Sequence, residues 1–349
     1  MATYYLRATN GSDSNSGADW ANAVKTLAAL QALMTTNGDI GLCDIESETS
    51  QIISSTVNFG TVSVTLKGVD QTSGDPKTFT VDGNSTAQDC LFFDTSNCVL
   101  MDFICKNATR YGVVPGVSSD FGTILIRVKT ENCGTAGFFA GDYDTFWMCG
   151  DEGSPIGTEG GIGSKYFYCK FEGNTTYGAN MEPASSFHEC EFNNCAEGIR
   201  ISATQAGEIR NCVFYDCDEG VYSTLAITGY TLVGNRFEDC TNYSIRFTST
   251  SAYGLLAYNT YYNNGGKTEQ NATELGEVDS TATNFVSAGT GDLSTKPDAD
   301  NVSIETFLGI DTSGSKSVWD AGLQSELSVG GGGTKSVFGE ILGVKRGII

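Results

Sequence analysis

A short aromatic pattern recurs five times in this 349-residue chain, and it limits what the chain can fold into. The aromatic positions of successive copies are 21 to 24 residues apart. A repeat of roughly 20 to 50 residues indicates a solenoid, in which one unit cannot bury its apolar face alone and stacked neighbours supply the core. The copies read CKFEGN, CEFNNC, CVFYDC, NRFEDC and NTYYNN, and their aromatic residues are Phe171, Phe192, Phe214, Phe237 and Tyr261.

Within one repeat the sequence alternates with a period of two residues. The segments CEF and CVF alternate between apolar and polar positions, and GIRIS and GVYS do so again after a polar corner. This period is typical of strands, and turns rich in Gly, Asn and Asp separate them. A repeat of about 22 residues fits one rung, meaning one winding, of a parallel β-helix. The sequence therefore predicts an all-β, single-stranded parallel β-helix whose strands pair with the next rung, roughly 4.8 Å away.

Twelve cysteines raise the alternatives of a metal site and a disulfide framework. Structural zinc sites use close cysteine pairs with a spacing such as C-x2-C, whereas the pairs here are C-x4-C and the chain has one histidine. Disulfides are rare in a cytosolic protein. We therefore expect no metal and no cofactor, and we predict that the thiols pack inward. The predicted inward columns are Cys190 with Cys212, and Cys195 with Cys217 and Cys240, the latter extended by Asn174 and Asn264 as an amide ladder.

The net charge of −22 argues against partners with a phosphate surface. Nucleic acids and anionic membranes attract proteins through Lys and Arg, which are outnumbered here by 42 acidic residues to 20 basic ones. The N-terminus lacks the apolar core of a signal peptide, and no apolar run is long enough for a membrane span. We expect synthesis in a cytoplasm without a signal peptide, and neither a nucleic-acid nor a membrane partner.

The segment TYYLRATNGSDSNSGADWANAVKTLAAL, residues 3–30, resembles the start of right-handed parallel β-helix proteins of the pectate-lyase-like superfamily, especially those of bacteriophages. The resemblance implies a helix from about Trp20 to Met34 that caps the first rung and covers its open edge. We expect an N-terminal strand and capping helix in residues 1–38 and a β-helix with loop excursions in 39–328. Independently of the resemblance, the run VGGGG at 329–333 predicts a flexible hinge, so that 329–349 form a hinge with an extended tail. The superfamily includes lyases, hydrolases, adhesins and inert structural proteins, so the resemblance does not fix an activity.

Glycoside hydrolysis needs two carboxylates facing one groove, and several acidic residues are candidates for that arrangement. No stretch of the chain matches the family's catalytic motifs, so we assign no catalytic residue. His188 is a candidate acid or base, and Trp147, Tyr166 and Tyr177 are candidates for stacking on sugar rings. The carboxylate candidates are Asp142, Asp144, Asp151, Glu152 and Glu159 around a predicted excursion at 150–164, then Glu182, and the stacked pair Glu197 and Glu219.

Three functions remain, and the first is preferred. The chain is expected to be a non-enzymatic virion protein of a bacteriophage, a capsid decoration or cement protein on the virion surface that contacts capsid proteins or neighbouring subunits. The alternatives are a tailspike-like polysaccharide depolymerase, either hydrolase or lyase, and an adhesin that binds host-surface carbohydrate; homo-oligomerisation is left open. Docking is predicted through a solenoid face or through the apolar, slightly basic tail, at Lys335, Phe338, Ile341, Lys345 and Arg346.

Overall fold

Parallel strands that pair with their counterparts in the next rung build the protein, as the repeat predicts. The computed structural model describes residues 1–60, 62–115, 122–205, 207–249, 253–268, 272–276, 278–279, 285–287 and 292–295. The predicted hinge and tail, 329–349, lie outside these residues. No helix in the described part of the chain has the length and apolar character needed to cross a bilayer.

The helix and the strands follow one another in a regular order. Their bounds are β1 Thr3–Arg7, α1 Leu27–Leu33, β2 Asp39–Asp44, β3 Gln51–Ile52, β4 Val57–Asn58, β5 Val64–Gly68, β6 Phe79–Asp82, β7 Asp89–Phe92, β8 Val99–Lys106, β9 Tyr111–Val114, β10 Ile124–Glu131, β11 Ala136–Phe139, β12 Thr145–Trp147, β13 Gly150–Glu152, β14 Ile156–Glu159, β15 Lys165–Phe167, β16 Lys170–Glu172, β17 Tyr177–Met181, β18 Ser186–His188, β19 Glu191–Asn193, β20 Glu197–Ile201, β21 Glu208–Arg210, β22 Val213–Tyr215, β23 Glu219–Ser223, β24 Thr228–Val233, β25 Arg236–Glu238, β26 Tyr243–Phe247, β27 Tyr253–Ala257, β28 Thr260–Tyr262, β29 Lys267–Thr268, β30 Ala272–Leu275, β31 Val278–Asp279, β32 Phe285–Ser287 and β33 Asp292–Thr295.

Each complete rung contributes three strands to two faces of the solenoid. The first two strands of a rung belong to a 21-stranded parallel sheet, and the third belongs to a 10-stranded parallel sheet that runs from β4 to β29. In β8 and β10 the first two strands merge into one strand of eight residues. The described residues therefore form an all-β parallel solenoid, as predicted. A short antiparallel pair, β32 and β33, follows it.

The predicted aromatic column lies in the interior. The ring centroids of Phe171, Phe192, Phe214, Phe237 and Tyr261 are separated by 5.3, 5.0, 4.7 and 5.3 Å, with the rings nearly parallel. The four phenylalanines are at most 1% exposed. Offset stacking of this kind adds to the burial of large apolar surface, so the column is a continuous part of the core.

The cysteines pack inward, as predicted. All twelve are buried and free of disulfides, and burial raises the pKa of Cys149 to about 12, which keeps its thiol protonated. Asn174 and Asn264 occupy the two ends of the Cys195, Cys217, Cys240 column, and a direct amide ladder forms elsewhere, where Asn235 donates to Asn259 at 3.0 Å. Among the described residues no group of three or more His, Cys, Asp or Glu is placed to hold a metal ion.

Left-handed corner residues turn the chain between the second and third strands of each rung. The corner falls at Asn194, Asp216, Asp239 and Asn263, with φ of 51°, 51°, 57° and 50°. Asn and Asp tolerate this region better than other residues with a Cβ. Gly198 has a different role, because a Cβ there would lie 2.6 Å from Cδ1 of Phe214. The third strand thus lies directly on the aromatic column.

The capping helix is shorter than predicted. It spans Leu27–Leu33 rather than 20–34, and Thr26 is its N-cap, accepting from the Ala29 amide. Asp13 accepts bonds from the Lys25 and Thr26 amides and from the Thr26 hydroxyl, which holds the preceding residues in a loop. Leu27 and Leu30 are fully buried, and the helix packs on β1 and β4 at the N-terminal end.

The predicted excursion at 150–164 is wrong. These residues are regular rung, because they contain β13 and β14, and β15 follows at once. The glycines of 150–164 suggest a loop in the sequence, but at least one of them is required by close packing of a strand. Gly157 lies against Cδ1 of Phe171, where an added Cβ would be 2.5 Å away. The sequence RYGVVPGVSSD at 110–120 also predicts an excursion from the solenoid. It contains β9 at its start, and residues 116–121 lie outside the described part.

Candidate functional site

The outer surface of the 10-stranded sheet carries two aligned columns of polar and aromatic side chains. Strand register stacks Glu197, Glu219 and Tyr243 in one column and Asn180, Arg200, Tyr222 and Arg246 in the other. We call this surface the Tyr–Arg strip. Its members are Asp89, Arg110, Tyr111, Phe139, Glu159, Tyr177, Asn180, Glu182, Glu197, Arg200, Glu219, Tyr222, Tyr243 and Arg246.

Three arginines of the strip each pair with a carboxylate. Arg110 holds Asp89 with two hydrogen bonds of 2.9 and 2.7 Å. Arg200 holds Glu197 in the same bidentate way, at 2.7 and 2.6 Å, and Arg246 pairs with Glu219. The arginine side chains remain between 36 and 39% exposed, so they present N–H donors to solvent at fixed positions.

The same guanidinium groups lie over tyrosine rings. The Cζ of Arg110 is 4.7 Å from the ring centroid of Tyr111, and Arg200 has the same distance to Tyr177. Arg246 lies between two rings of neighbouring rungs, 5.4 Å from Tyr222 and 5.3 Å from Tyr243. Cation–π contact fixes both partners, so the rings are held in place before any ligand arrives.

Carboxylates and an amide occupy the middle of the strip. The Tyr111 hydroxyl donates to Glu159 at 3.4 Å, and the Asn180 amide donates to Glu182 at 3.0 Å. Burial, and next the charge of Glu159, raises the pKa of Tyr177 to about 12. The middle of the strip therefore offers carboxylate acceptors beside protonated phenols.

Two predicted carboxylates lie inside the solenoid. Asp144 is 1% exposed and accepts from the amides of Thr123 and Gly141 at 2.6 and 2.7 Å. Asp151 is 2% exposed and occupies the aromatic-column position of its rung, in register with Phe171. Burial raises the pKa of each carboxyl to about 7. Neither can reach a ligand on the surface.

Asp151 is surrounded by hydrogen-bond donors. The hydroxyls of Thr130 and Ser154 and the amide of Asn174 each donate to it at 2.7 Å. A buried polar group is tolerated when its partners are present. This cluster explains why the aromatic column stops at Phe171, because the same position of the two preceding rungs holds the Asp151 carboxyl and the Thr130 hydroxyl.

The other predicted carboxylates are on the surface, and the structure separates them. Glu152 is on the 21-stranded sheet, 2.6 Å from Lys129, while Asp142 accepts from the Ile162 amide at 2.9 Å in a corner. Glu159 and Glu182 lie on the strip, and so do Glu197 and Glu219, which are directly stacked as the sequence predicts.

The predicted aromatic and histidine candidates divide between three places. Tyr166 is fully buried and stacks on Phe187 at 4.4 Å, which removes it from sugar contact. Trp147 and His188 lie on the outer surface of the 21-stranded sheet in a stack with Phe167 between them. Of these candidates, Tyr177 is the one on the strip. The predicted tail residues lie outside the described part of the chain.

Sequence reasoning missed the arginines and most of the tyrosines of the strip. A signal for them exists, because aligning EGIRI, EGVYS and YSIRF by the repeat stacks Arg200, Tyr222 and Arg246 at one position. The repeat is clearest in the second strand of each rung, and the third strand varies too much in composition to stand out.

Comparison with known proteins supports the fold. Residues 159–289 match the family model described as a right handed beta helix region. The solved structure of pectate lyase Pel9A is similar with a TM-score of 0.60 and 14% identity, over 86% of both chains. The complex of XylC with xylose has a TM-score of 0.58 and 8% identity, over 81% of this chain and 88% of that one. No curated protein sequence matches. The chain therefore has the right-handed parallel β-helix fold, which similarity at this level of identity shows without showing an activity.

Proposed function

We propose that the protein binds a polysaccharide along the Tyr–Arg strip. The observation that carries the proposal is the alignment of tyrosine rings, guanidinium groups and carboxylates in columns along the solenoid. Sugar recognition combines aromatic rings under the apolar sugar faces with fixed donors and acceptors for the hydroxyls. Two structures of similar fold, a pectate lyase and a protein in complex with xylose, act on or hold carbohydrate.

The shape of the strip favours a linear ligand. Tyr111 and Tyr243 are six rungs apart in the 10-stranded sheet, which is roughly 29 Å at about 4.8 Å per rung. Rings lie toward both ends, at Tyr111 with Phe139 and at Tyr222 with Tyr243, with carboxylates between them. Such an arrangement fits several units of one extended chain better than a single small sugar.

Titration of the strip favours binding over cleavage. A β-elimination base must lose its proton near the working pH, but the pKa of Tyr177 is raised by burial and that of Arg200 is raised mainly by its hydrogen bonds to Glu197. The carboxyl groups whose pKa of about 7 suits a general acid, Asp144 and Asp151, are enclosed in the interior. None of these four groups combines access to the surface with a pKa near neutrality, which favours the carbohydrate-binding alternative over the depolymerase.

Affinity electrophoresis of the full chain tests the proposal. The native protein is run in gels that contain neutral or acidic polysaccharides of plant, algal and bacterial origin, beside two variants of one rung. We expect Tyr222→Ala on the strip to lose at least about tenfold in affinity, since stacking contributes on the order of 1.4 kcal/mol. Tyr215→Ala, on the 21-stranded sheet, is the matched control and should bind like the native protein.

Two results would overturn the proposal. One is the absence of retardation in every gel, and the other is equal binding by Tyr222→Ala and the native protein. Release of reducing or unsaturated sugar ends from a bound polysaccharide would replace binding with cleavage as the function.

The virion role predicted from the sequence stays a prediction. It is supported by the resemblance of residues 3–30 to bacteriophage β-helices and by the composition of the tail, and none of the comparisons adds to it. Co-sedimentation with capsids, lost on deletion of residues 334–349, is its test. A virion protein that binds host carbohydrate would combine both roles.

A further inference from the structure

The charges on the Tyr–Arg strip distinguish between classes of polysaccharide. Every arginine of the strip is already matched by a carboxylate, in the pairs of Arg110, Arg200 and Arg246 described above. Two further carboxylates, Glu159 and Glu182, have hydrogen-bond partners that are neutral and no cationic partner among the described residues. The strip therefore has an excess of two negative charges.

This excess acts against an anionic chain. A uronate would need an arginine, and each arginine of the strip is held by its own carboxylate, two of them with both nitrogens of a bidentate fork. Displacing such a pair leaves a partly buried carboxylate without its partner, which is strongly unfavourable. Glu197 and Glu219 have side chains only 14 and 9% exposed. The whole protein, with a net charge of −22, adds a repulsive field.

A neutral chain meets neither obstacle. Sugar hydroxyls donate to the oxygens of Glu159 and Glu182, and they accept from the N–H groups that the exposed arginines still present. The ion pairs remain intact, and the tyrosine rings that they hold remain in place. Hydrogen bonds to charged groups are stronger than neutral ones, so the matched charges contribute to binding without requiring a charged ligand.

We infer that the Tyr–Arg strip recognises a neutral polysaccharide and rejects chains that carry carboxylates. This inference rests on the proposed function and names its ligand class. The inferred preference for neutral chains is opposite to what the pectate lyase of similar fold acts on, because pectate is an acidic polysaccharide.

Three matched pairs of polysaccharide test the inference. Polygalacturonate, alginate and a glucuronan are each compared with their carboxyl-reduced forms, in which a hydroxymethyl group replaces the carboxylate and the backbone is otherwise the same. With the full chain, we expect the reduced member of at least one pair to bind about tenfold or more tightly than the acidic member. Its affinity should change less than about twofold between low and physiological salt, because no net charge is neutralised.

A variant pair ties the preference to the strip. Glu159→Gln removes one of the excess charges. We expect it to reduce the ratio of affinities for the reduced and acidic polysaccharides of a pair by about threefold or more. Glu152→Gln is the control, because Glu152 is 57% exposed on the other sheet, and it should leave the difference unchanged.

The outcomes separate the two proposals. If Tyr222→Ala weakens binding but the acidic members bind as tightly as the reduced ones, or more tightly, then the inference fails and carbohydrate binding stands. If Glu159→Gln and Glu152→Gln act alike, the inference also fails. Binding of all six polymers that is insensitive to Tyr222→Ala overturns both. Failure to bind any of the six overturns the inference, whereas the proposed function falls only if every other polysaccharide gel also shows no retardation.

Discussion

Truncation of one ring in the aromatic column should destabilise the protein far more than truncation of the residue beside it. Phe214 is fully buried between Phe192 and Phe237, whose ring centroids are 5.0 and 4.7 Å away. Its neighbour Tyr215 points outward from the same strand and is partly exposed. Phe214→Ala and Tyr215→Ala therefore remove rings of similar size from the two surfaces of one strand.

The expected loss follows from burial and from the cavity. Replacing a buried Phe by Ala costs about 3 to 5 kcal/mol, because the lost transfer free energy is increased by a cavity that the surroundings do not fill. Phe214 contacts a ring on each side, so collapse of either neighbour would open a new gap at the next rung. We expect Phe214→Ala to lower the free energy of unfolding by about 4 kcal/mol. Phe214→Leu should lower it by under about 1.5 kcal/mol, and Tyr215→Ala by under about 1 kcal/mol.

Urea unfolding followed by far-ultraviolet circular dichroism measures these differences. Since neighbouring rungs of a solenoid can unfold separately, the midpoint and the slope are both compared between variants. A Phe214→Ala variant no less stable than Tyr215→Ala would refute the stacked aromatic core.

Three further predictions concern the interior. Gly198→Ala should lower the free energy of unfolding by about 1 to 3 kcal/mol through overpacking, because the new Cβ would lie 2.6 Å from Phe214 and from the Gly220 carbonyl oxygen. A thermal melt identical to the native one would contradict this prediction. Cys212→Ser should lower the free energy of unfolding by only about 1 kcal/mol, since the Sγ of Cys212 lies 3.5 Å from the Phe187 carbonyl oxygen and a serine hydroxyl can donate to the same acceptor. An unchanged melting temperature would contradict burial of this position. The free energy of unfolding should fall as pH rises from about 5 to about 7.5, because the carboxyls of Asp144 and Asp151, each with a pKa of about 7 in the fold against 3.8 as reference, hold protons that the unfolded chain has lost. Asp151→Asn should reduce that slope by roughly half in urea unfolding at several pH values, because Asp144 still contributes, and an equal slope in both proteins would count against the prediction.

The second half of the fold was predictable, and the first half less so. Stacked positions could be recognised where the column residues are alike, from Phe171 to Tyr261. The same column continues toward the N-terminus as Cys105, Thr130 and Asp151, and unlike residues at one position leave no repeat to detect. A buried polar cluster thus hides the register that an aromatic stack reveals.

The candidate site was predictable only in part. Glu197 and Glu219 were paired correctly because both begin an EG segment of successive rungs. Asp144 and Asp151 gave no sign of burial in the sequence, since acidic residues are seldom enclosed and only the three-dimensional donors around them explain it. The start of the helix at Leu27 likewise depends on Asp13, which is distant in sequence from the helix that it limits.

Tyrosine footprinting with bound polysaccharide tests the central claim, that the strip is the binding surface, most directly. The protein is nitrated with and without a saturating polysaccharide, and the modified residues are located by mass spectrometry. We predict that Tyr222 and Tyr243 are protected while Tyr215 and Tyr262, on the 21-stranded sheet, are modified as before. Protection of Tyr215 and Tyr262 with none at Tyr222 and Tyr243 would contradict the account.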